Sequence, residues 1–186
     1  MTKVRCAWLN LDNPLYVDYH DEEWGVPVHE DAKLFEMLIL EGAQAGLSWE
    51  TILKKRENYR NAFDGFDVEK ISGYDDIKIE ALLQNEGIVR NRLKVKSTVK
   101  NAQVFIAIQK EYGSFDKYLW QFVNNEPILN YFTSLSEVPA KTSLSDLISK
   151  DLKKRGMSFV GSTIIYAYLQ AVGVVNDHTI DCFKRK

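Results

Sequence analysis

The sequence holds few of the residues that build special architectures: two cysteines, four prolines and ten glycines in 186. Two cysteines are too few for a disulfide framework. They stand at positions 6 and 182, and in a reducing compartment they are expected to remain thiols. No apolar run is long enough to span a bilayer, so no membrane partner is expected. Met1-Thr-Lys-Val-Arg-Cys-Ala-Trp8 has no continuous apolar core behind its charges, so it is not read as a secretory leader and a cytoplasmic protein is expected. An excess of one charge is missing too. The 24 basic and 26 acidic residues leave −2, which excludes attraction of the whole surface to a polyanion but allows a local patch. There is no internal repeat, no low-complexity linker and no strand-like alternation of apolar and polar residues.

What is there is helical spacing, 45% apolar residues and a 12% aromatic fraction. A helix is predicted from Asp31, its N-cap, to about Leu40, and a second from the N-cap Ser48 through Tyr59. Two short acidic helices follow, over 68–71 behind the cap Asp67 and over 77–83. Arg90 to Lys100 carries five basic residues and no acidic one, and continues as a long helix to about Tyr112. That run reads either as a solvated face or as a patch for a polyanion. A short helix spans 115–122, and another follows the capping sequence Ser143-Leu-Ser-Asp146 and ends at Lys153-Lys-Arg-Gly156. The last runs from Ser162 to Val172 and stops at Gly173. Cys6 to His29 reads as a loop rich in rings, with Asn13-Pro14 as a turn and His29 as a surface residue without a partner. The fold expected is all-α, in one domain over 1–186.

The most informative stretch is Glu41-Gly-Ala-Gln-Ala-Gly-Leu-Ser-Trp49. It follows Leu34-Phe-Glu-Met-Leu-Ile-Leu40, which is apolar at every position but one and so reads as a buried helix. A carboxylate delivered by a buried helix is costly without a partner. Two glycines allow close approach of backbone, and Trp49 adds a flat ring with one N–H. Such a set suits a pocket for a flat, nitrogen-rich ligand. It is also, and on this stretch alone more commonly, the pattern of a helix end with a paired Glu and a core Trp.

His178 and Cys182 are four apart and would share one helix face; Cys6 and His20 could complete a set of two Cys and two His. That is the donor set of a closed structural zinc site, which here would clip the two ends of the chain together. Unremarkable cysteines and surface histidines remain the other reading. The tight turn between the last two long helices, near 145–172, would leave backbone N–H groups free at Gly161 and Ser162, beside Lys153, Lys154 and Arg155. A phosphate could sit there, although an ordinary helical hairpin has the same pattern.

Together these stretches resemble the 3-methyladenine DNA glycosylase I family, bacterial base-excision repair enzymes of the helix-hairpin-helix class. The resemblance is carried by Cys6-Ala-Trp8, Tyr19-His-Asp-Glu-Glu-Trp-Gly25, Leu40 to Trp49, Leu53-Lys-Lys-Arg-Glu-Asn-Tyr-Arg60, Gly87-Ile-Val-Arg90, Lys153-Lys-Arg-Gly156, Phe159-Val-Gly161 and Val175-Asn-Asp-His178. It implies one structural zinc on Cys6, His20, His178 and Cys182. It implies a pocket carboxylate at Glu41, with rings at Trp8, Tyr16, Tyr19, Trp24 and Trp49. The implied partners are alkylated double-stranded DNA and free 3-methyladenine as product, with the protein acting as a monomer. Leu47 could fill the gap left by an extruded base, and Lys154, Arg155, Gly161 and Ser162 would touch the backbone. The wider class carries a catalytic Asp after the hairpin; this family does not use one, and Asp177 is not assigned that role. Many residues in the acidic middle of the chain do not match the family's motifs. A DNA-binding module without activity, or a zinc-stabilised interaction domain, would use the same hairpin and metal but needs no cavity at Glu41.

Overall fold

The stretch from Leu34 to Leu40 does form a helix buried on all sides, with Leu34, Phe35 and Leu40 fully inaccessible. The computed structural model describes residues 3–185. The helices are α1 (Pro14–Glu22), α2 (Asp31–Gln44), α3 (Trp49–Ala62), α4 (Val68–Ser72), α5 (Asp76–Leu83), α6 (Arg92–Tyr112), α7 (Phe115–Trp120), α8 (Ser143–Lys154) and α9 (Ser162–Ala171). Among the described residues the strands are two residues each, β1 (Ile128–Leu129) and β2 (Val175–Asn176), paired in parallel. The architecture is all-α, and no described helix is long and apolar enough to cross a membrane. Helix α2 is the axle: α3, α6, α7 and α9 all pack on it.

Most helices start on side-chain caps; Ser48 and Asp67 are the ones expected, whereas the capping box of α8 is Thr142 with Ser145 rather than Ser143 with Asp146. Thr51 N–H donates to Ser48 Oγ at α3, and Lys70, Lys78, Lys94 and Lys117 N–H groups donate to Asp67, Asp75, Asn91 and Ser114. At α8 Thr142 and Ser145 satisfy each other's backbone N–H. Asp31 is a correction. It lies inside the first turn of α2, and its carboxylate accepts instead from Phe115 N–H at 2.9 Å, Asp116 N–H at 2.8 Å and the Gln109 side chain at 2.7 Å. A tertiary contact has taken the cap, and Asp31 fastens the start of α7 to α2.

Three further expectations are corrected. The aromatic segment is not all loop: Pro14 opens α1, because a proline lacks only an N–H that the first helical turn leaves unused. Residues 178–182 are not a helix but turns that follow β2. Gly173 sets that course. It sits at φ +70° with its α-carbon against the Val26–Pro27 backbone, where a Cβ would come within 2.4 Å of the Pro27 nitrogen. There Gly25 N–H donates to Gln170 O and Val28 N–H to Val172 O, binding the N-terminal segment to the end of α9. His29 also has a partner: its Nδ1 lies 2.7 Å from Asp116 Oδ1 and its ring packs on Trp120.

The one polar residue in the buried run, Glu36, is matched by cations. Arg56 Nε donates to it at 2.6 Å and Arg60 at 2.9 Å, while the other Arg56 nitrogens hold Glu23 at the end of α1. Burial raises the Glu23 pKa, but the Arg56 hydrogen bonds win and hold it at about 2. The same guanidinium therefore pins α1, α2 and α3 to one another.

Candidate active site and metal centre

Glu41 occupies the last turns of α2, and Trp49 opens α3. The turn between them passes through Gly46 at φ +79°, a left-handed value that glycine adopts freely, and leaves Leu47 exposed at its apex. One tight reversal thus sets the acid and the indole on the same side. Helix α1 brings Tyr16 and Tyr19 across from them, and Trp8 and Trp24 close the flanks around a cavity of about 340 Å³. Its rings meet at varied angles, with Tyr19 tilted against Trp49 at a centroid distance of 5.3 Å, Trp8 edge-on to Trp24 at 5.0 Å and Tyr16 stacked near Tyr19 at 6.5 Å.

Glu41 differs from Glu36 in the one respect that matters. Both are buried, but no cation pairs with Glu41, and its Oε2 has no hydrogen-bond partner. Burial alone pushes its pKa up to about 8. The Trp49 Nε1–H is also buried and unmatched. An acceptor and a donor left open in one cavity mark a place for a ligand, since buried polar groups are otherwise paired. Burial, and next the Glu41 charge, hold the Tyr19 phenol well above its usual range, so it stays a neutral hydroxyl.

Sequence reasoning missed the opposite wall. There Asp177 accepts from Tyr166 Oη–H, from Gln170 Nε2 at 2.8 Å and from Asn130 Nδ2 at 2.6 Å. Tyr166 and Gln170, four apart on α9, share a face, which was the available signal.

Behind Trp8 and Trp24, the ligand atoms of Cys6, His20, His178 and Cys182 all lie within 4.8 Å of one another, and all four residues are buried. His20 Nδ1 bonds Asp21 Oδ1 at 2.8 Å, and Arg5 in turn holds Asp21. His178 Nδ1 bonds Asn176 Oδ1 at 2.9 Å. Both rings thereby present Nε2 to the cluster, as outer partners do for metal-bound histidines. His178 Nε2 is buried with no hydrogen-bond partner. Burial depresses both imidazoles, His178 to about 4, so each nitrogen offers a lone pair. Burial also drives the Cys6 thiol up to about 12, so a thiolate there needs a cation beside it. The residues fit a metal ion and could hold one. Their spacing works without the expected helix, because the turns after β2 carry His178 and Cys182 to one place.

The hairpin residues are less uniform. Lys154 is exposed, but the Arg155 guanidinium is engaged within the protein, bonded to Asp151 at 2.6 Å and to Glu111 at 2.6 Å and set over the Tyr112 and Tyr118 rings. That engagement braces the end of α8. Gly161 precedes α9 with open space where a Cβ would stand. Ser162 Oγ meets Ser145 Oγ at 2.9 Å, and its hydrogen bond lowers the neighbouring Asp146, so an anion at Ser162 would face a carboxylate.

The model of the methyladenine glycosylase family matches residues 8–185. The chain is 49% identical over 178 residues to DNA-3-methyladenine glycosylase 1 of Escherichia coli (strain K12), covering 96% of this chain and 95% of that one. It superposes on a crystal structure of 3-methyladenine DNA glycosylase I with a TM-score of 0.96 and 48% identity, over 98% of this chain and 100% of that one. A structure that addresses 3-methyladenine recognition by the Staphylococcus aureus 3-methyladenine DNA glycosylase I aligns with a TM-score of 0.94 and 37% identity, over 98% and 96% of the two chains. With a family model that matches nearly the whole chain and a curated relative 49% identical over 96% of it, the chain belongs to the methyladenine glycosylase family.

Proposed function

We propose that this protein removes N3-methyladenine from alkylated duplex DNA, releasing free 3-methyladenine and leaving an abasic site, as a single glycosylase unit over residues 1–186. The observation that carries it is Glu41, a carboxylate sunk without a cation beneath aromatic faces. Methylation at N3 gives the base a formal positive charge. The nucleotide rotates out of the stack, which costs a few kcal/mol, and Leu47 enters the space it leaves. Tilted rings favour a cation over a neutral ring by about 0.5–2 kcal/mol per contact. The lesion's charge also restores Glu41 to its ionised form, which neutral adenine cannot do.

The base then needs little acid catalysis. The bond from C1′ to the base breaks, and its electron pair leaves with the base and cancels the ring charge. Water forms the new bond at C1′ and its surplus proton passes to the solvent. Glu41 accepts hydrogen bonds from the exocyclic amino group and stabilises positive charge in the transition state. Trp49 and Tyr19 are the stacking faces proposed for the base, within the cage of Trp8, Tyr16 and Trp24. Zinc at Cys6, His20, His178 and Cys182, with no position left for water, would supply folding energy rather than chemistry. On the duplex, Lys154 and the N–H groups beside Gly161 and Ser162 are the proposed backbone contacts; Arg155 acts by bracing that corner.

The test is chromatography of bases released from methylated duplex DNA. Free 3-methyladenine should appear, with strands staying intact until alkali is added. DNA binding with no base release would refute the reading.

A further inference from the structure

Helix α6 reaches both parts of the proposed DNA surface from one face. Lys94 Nζ donates to Ala43 O at 2.8 Å and to Ala45 O at 2.6 Å. These carbonyls belong to the end of α2, where the helix itself supplies no partner. They bracket the start of the turn that carries Gly46 and Leu47, whose other closures are Ala45 N–H to Gly42 O and Leu47 N–H to Gln44 O. Seven residues on, Asn101 is buried, and its side chain clasps the backbone of Ser158 in both directions. Its Nδ2 donates to Ser158 O at 2.9 Å, and its Oδ1 accepts from Ser158 N–H at 2.9 Å. Residues seven apart lie two turns along one helix face. Between the two clasps, Phe159 at φ +56° lies against Gly42, where a Cβ would come within 3.3 Å of it. The wedge turn and the hairpin turn therefore share one strut.

We infer that Lys94 and Asn101 are positioning residues that hold the Leu47 turn and the 157–161 turn at a fixed separation, so that gripping the backbone drives the wedge into the stack. Neither touches the base. The inference rests on the DNA-repair reading above. It places both residues in the extrusion of the nucleotide, not in recognition of the free base. Lys94 acts by charge and reach, since both acceptors are carbonyls at the negative end of a helix.

The experiment compares wild type with Lys94→Met, Lys94→Arg and Asn101→Leu. Single-turnover excision from a duplex containing one 3-methyladenine is measured beside tryptophan-fluorescence titration with free 3-methyladenine. Lys94→Met and Asn101→Leu should each lose about tenfold or more in excision rate while binding the free base within twofold of wild type. Lys94→Arg, which keeps the donors and the charge, should recover most of the rate. Equal losses in excision and free-base binding would show general support of the cavity and overturn the inference. So would unchanged excision in both variants, or failure of arginine to rescue. A wild type that excises nothing would instead refute the functional reading, so the two failures are distinct.

Discussion

Replacing Glu41 by glutamine should stabilise the protein, and by an amount that grows with pH. In the native state burial holds the carboxyl proton up to about pH 8, against an ordinary value of 4.5. The unfolded chain releases that proton near the ordinary value. Between the two, the native state binds more protons than the unfolded one, so stability falls as pH rises. Every tenfold change in proton affinity is worth about 1.4 kcal/mol, which puts the whole effect at up to about 5 kcal/mol once pH exceeds 8 and about 3 kcal/mol at pH 7. Water in the open cavity screens part of it, so these figures are ceilings and about half is the expected size. Glu41→Gln keeps the shape and removes the charge. The assay is urea unfolding of both proteins, metal-loaded, at intervals from pH 5 to pH 9. The two should be nearly equal at pH 5, and the variant should gain at least about 2 kcal/mol by pH 8.5. Parallel curves across the range would refute the reasoning, because they would mean that the carboxylate is solvated or paired in the native state. A stability gain coupled to lost activity is the signature of a group kept for function.

Three other outcomes follow from the same structure. Metal analysis should find about one zinc per chain, and stripping it should lower the melting temperature and free the segment before α1 from the turns after β2; a metal-free preparation with unchanged melting would contradict the Cys6–His20–His178–Cys182 site. Leu47→Ala should slow excision from duplex DNA by on the order of tenfold and leave binding of free 3-methyladenine unchanged, and equal effects on both would rule out a wedge. Arg56→Met should destabilise by about 3–5 kcal/mol, because it strands Glu36 in the core, and a loss under about 1 kcal/mol in chemical unfolding would mean that water or Arg60 fully replaces it.

Much of this was legible in the sequence because the signals were local. Ser48 and Asp67 side chains do cap the helices they precede, and the run from Leu34 to Leu40 is buried as read. The cavity residues were only half legible: a carboxylate at the end of an apolar helix and a tryptophan eight residues on fit a paired acid and a core ring as well as a pocket, and the family resemblance was what named the other rings. The misses came where a distant partner decided. Asp31 had the look of a cap for its own helix, but the α7 backbone, more than eighty residues away, claimed its carboxylate. Pro14 began a helix that looked like a loop, because its missing N–H costs nothing in the first turn. His178 and Cys182 had helical spacing, yet the pairing of β2 with β1 and the approach at Gly173 bent that segment into turns. The hydrogen bonds of Asp177 went unseen although Tyr166 and Gln170 lie near it in sequence, because only the fold turns that face of α9 towards β2 and brings Asn130 in from a distant segment.

Everything turns on whether an unpaired acid beneath a cage of aromatic rings recognises the methylated base. Titration of wild type and Glu41→Gln with free 3-methyladenine, followed by quenching of tryptophan fluorescence, measures this with no DNA present. Wild type should quench to saturation, and the variant should bind at least about tenfold more weakly, the loss expected when a charged hydrogen-bond acceptor is replaced. A Glu41→Gln protein that binds as tightly as wild type, and excises as fast, would contradict the account.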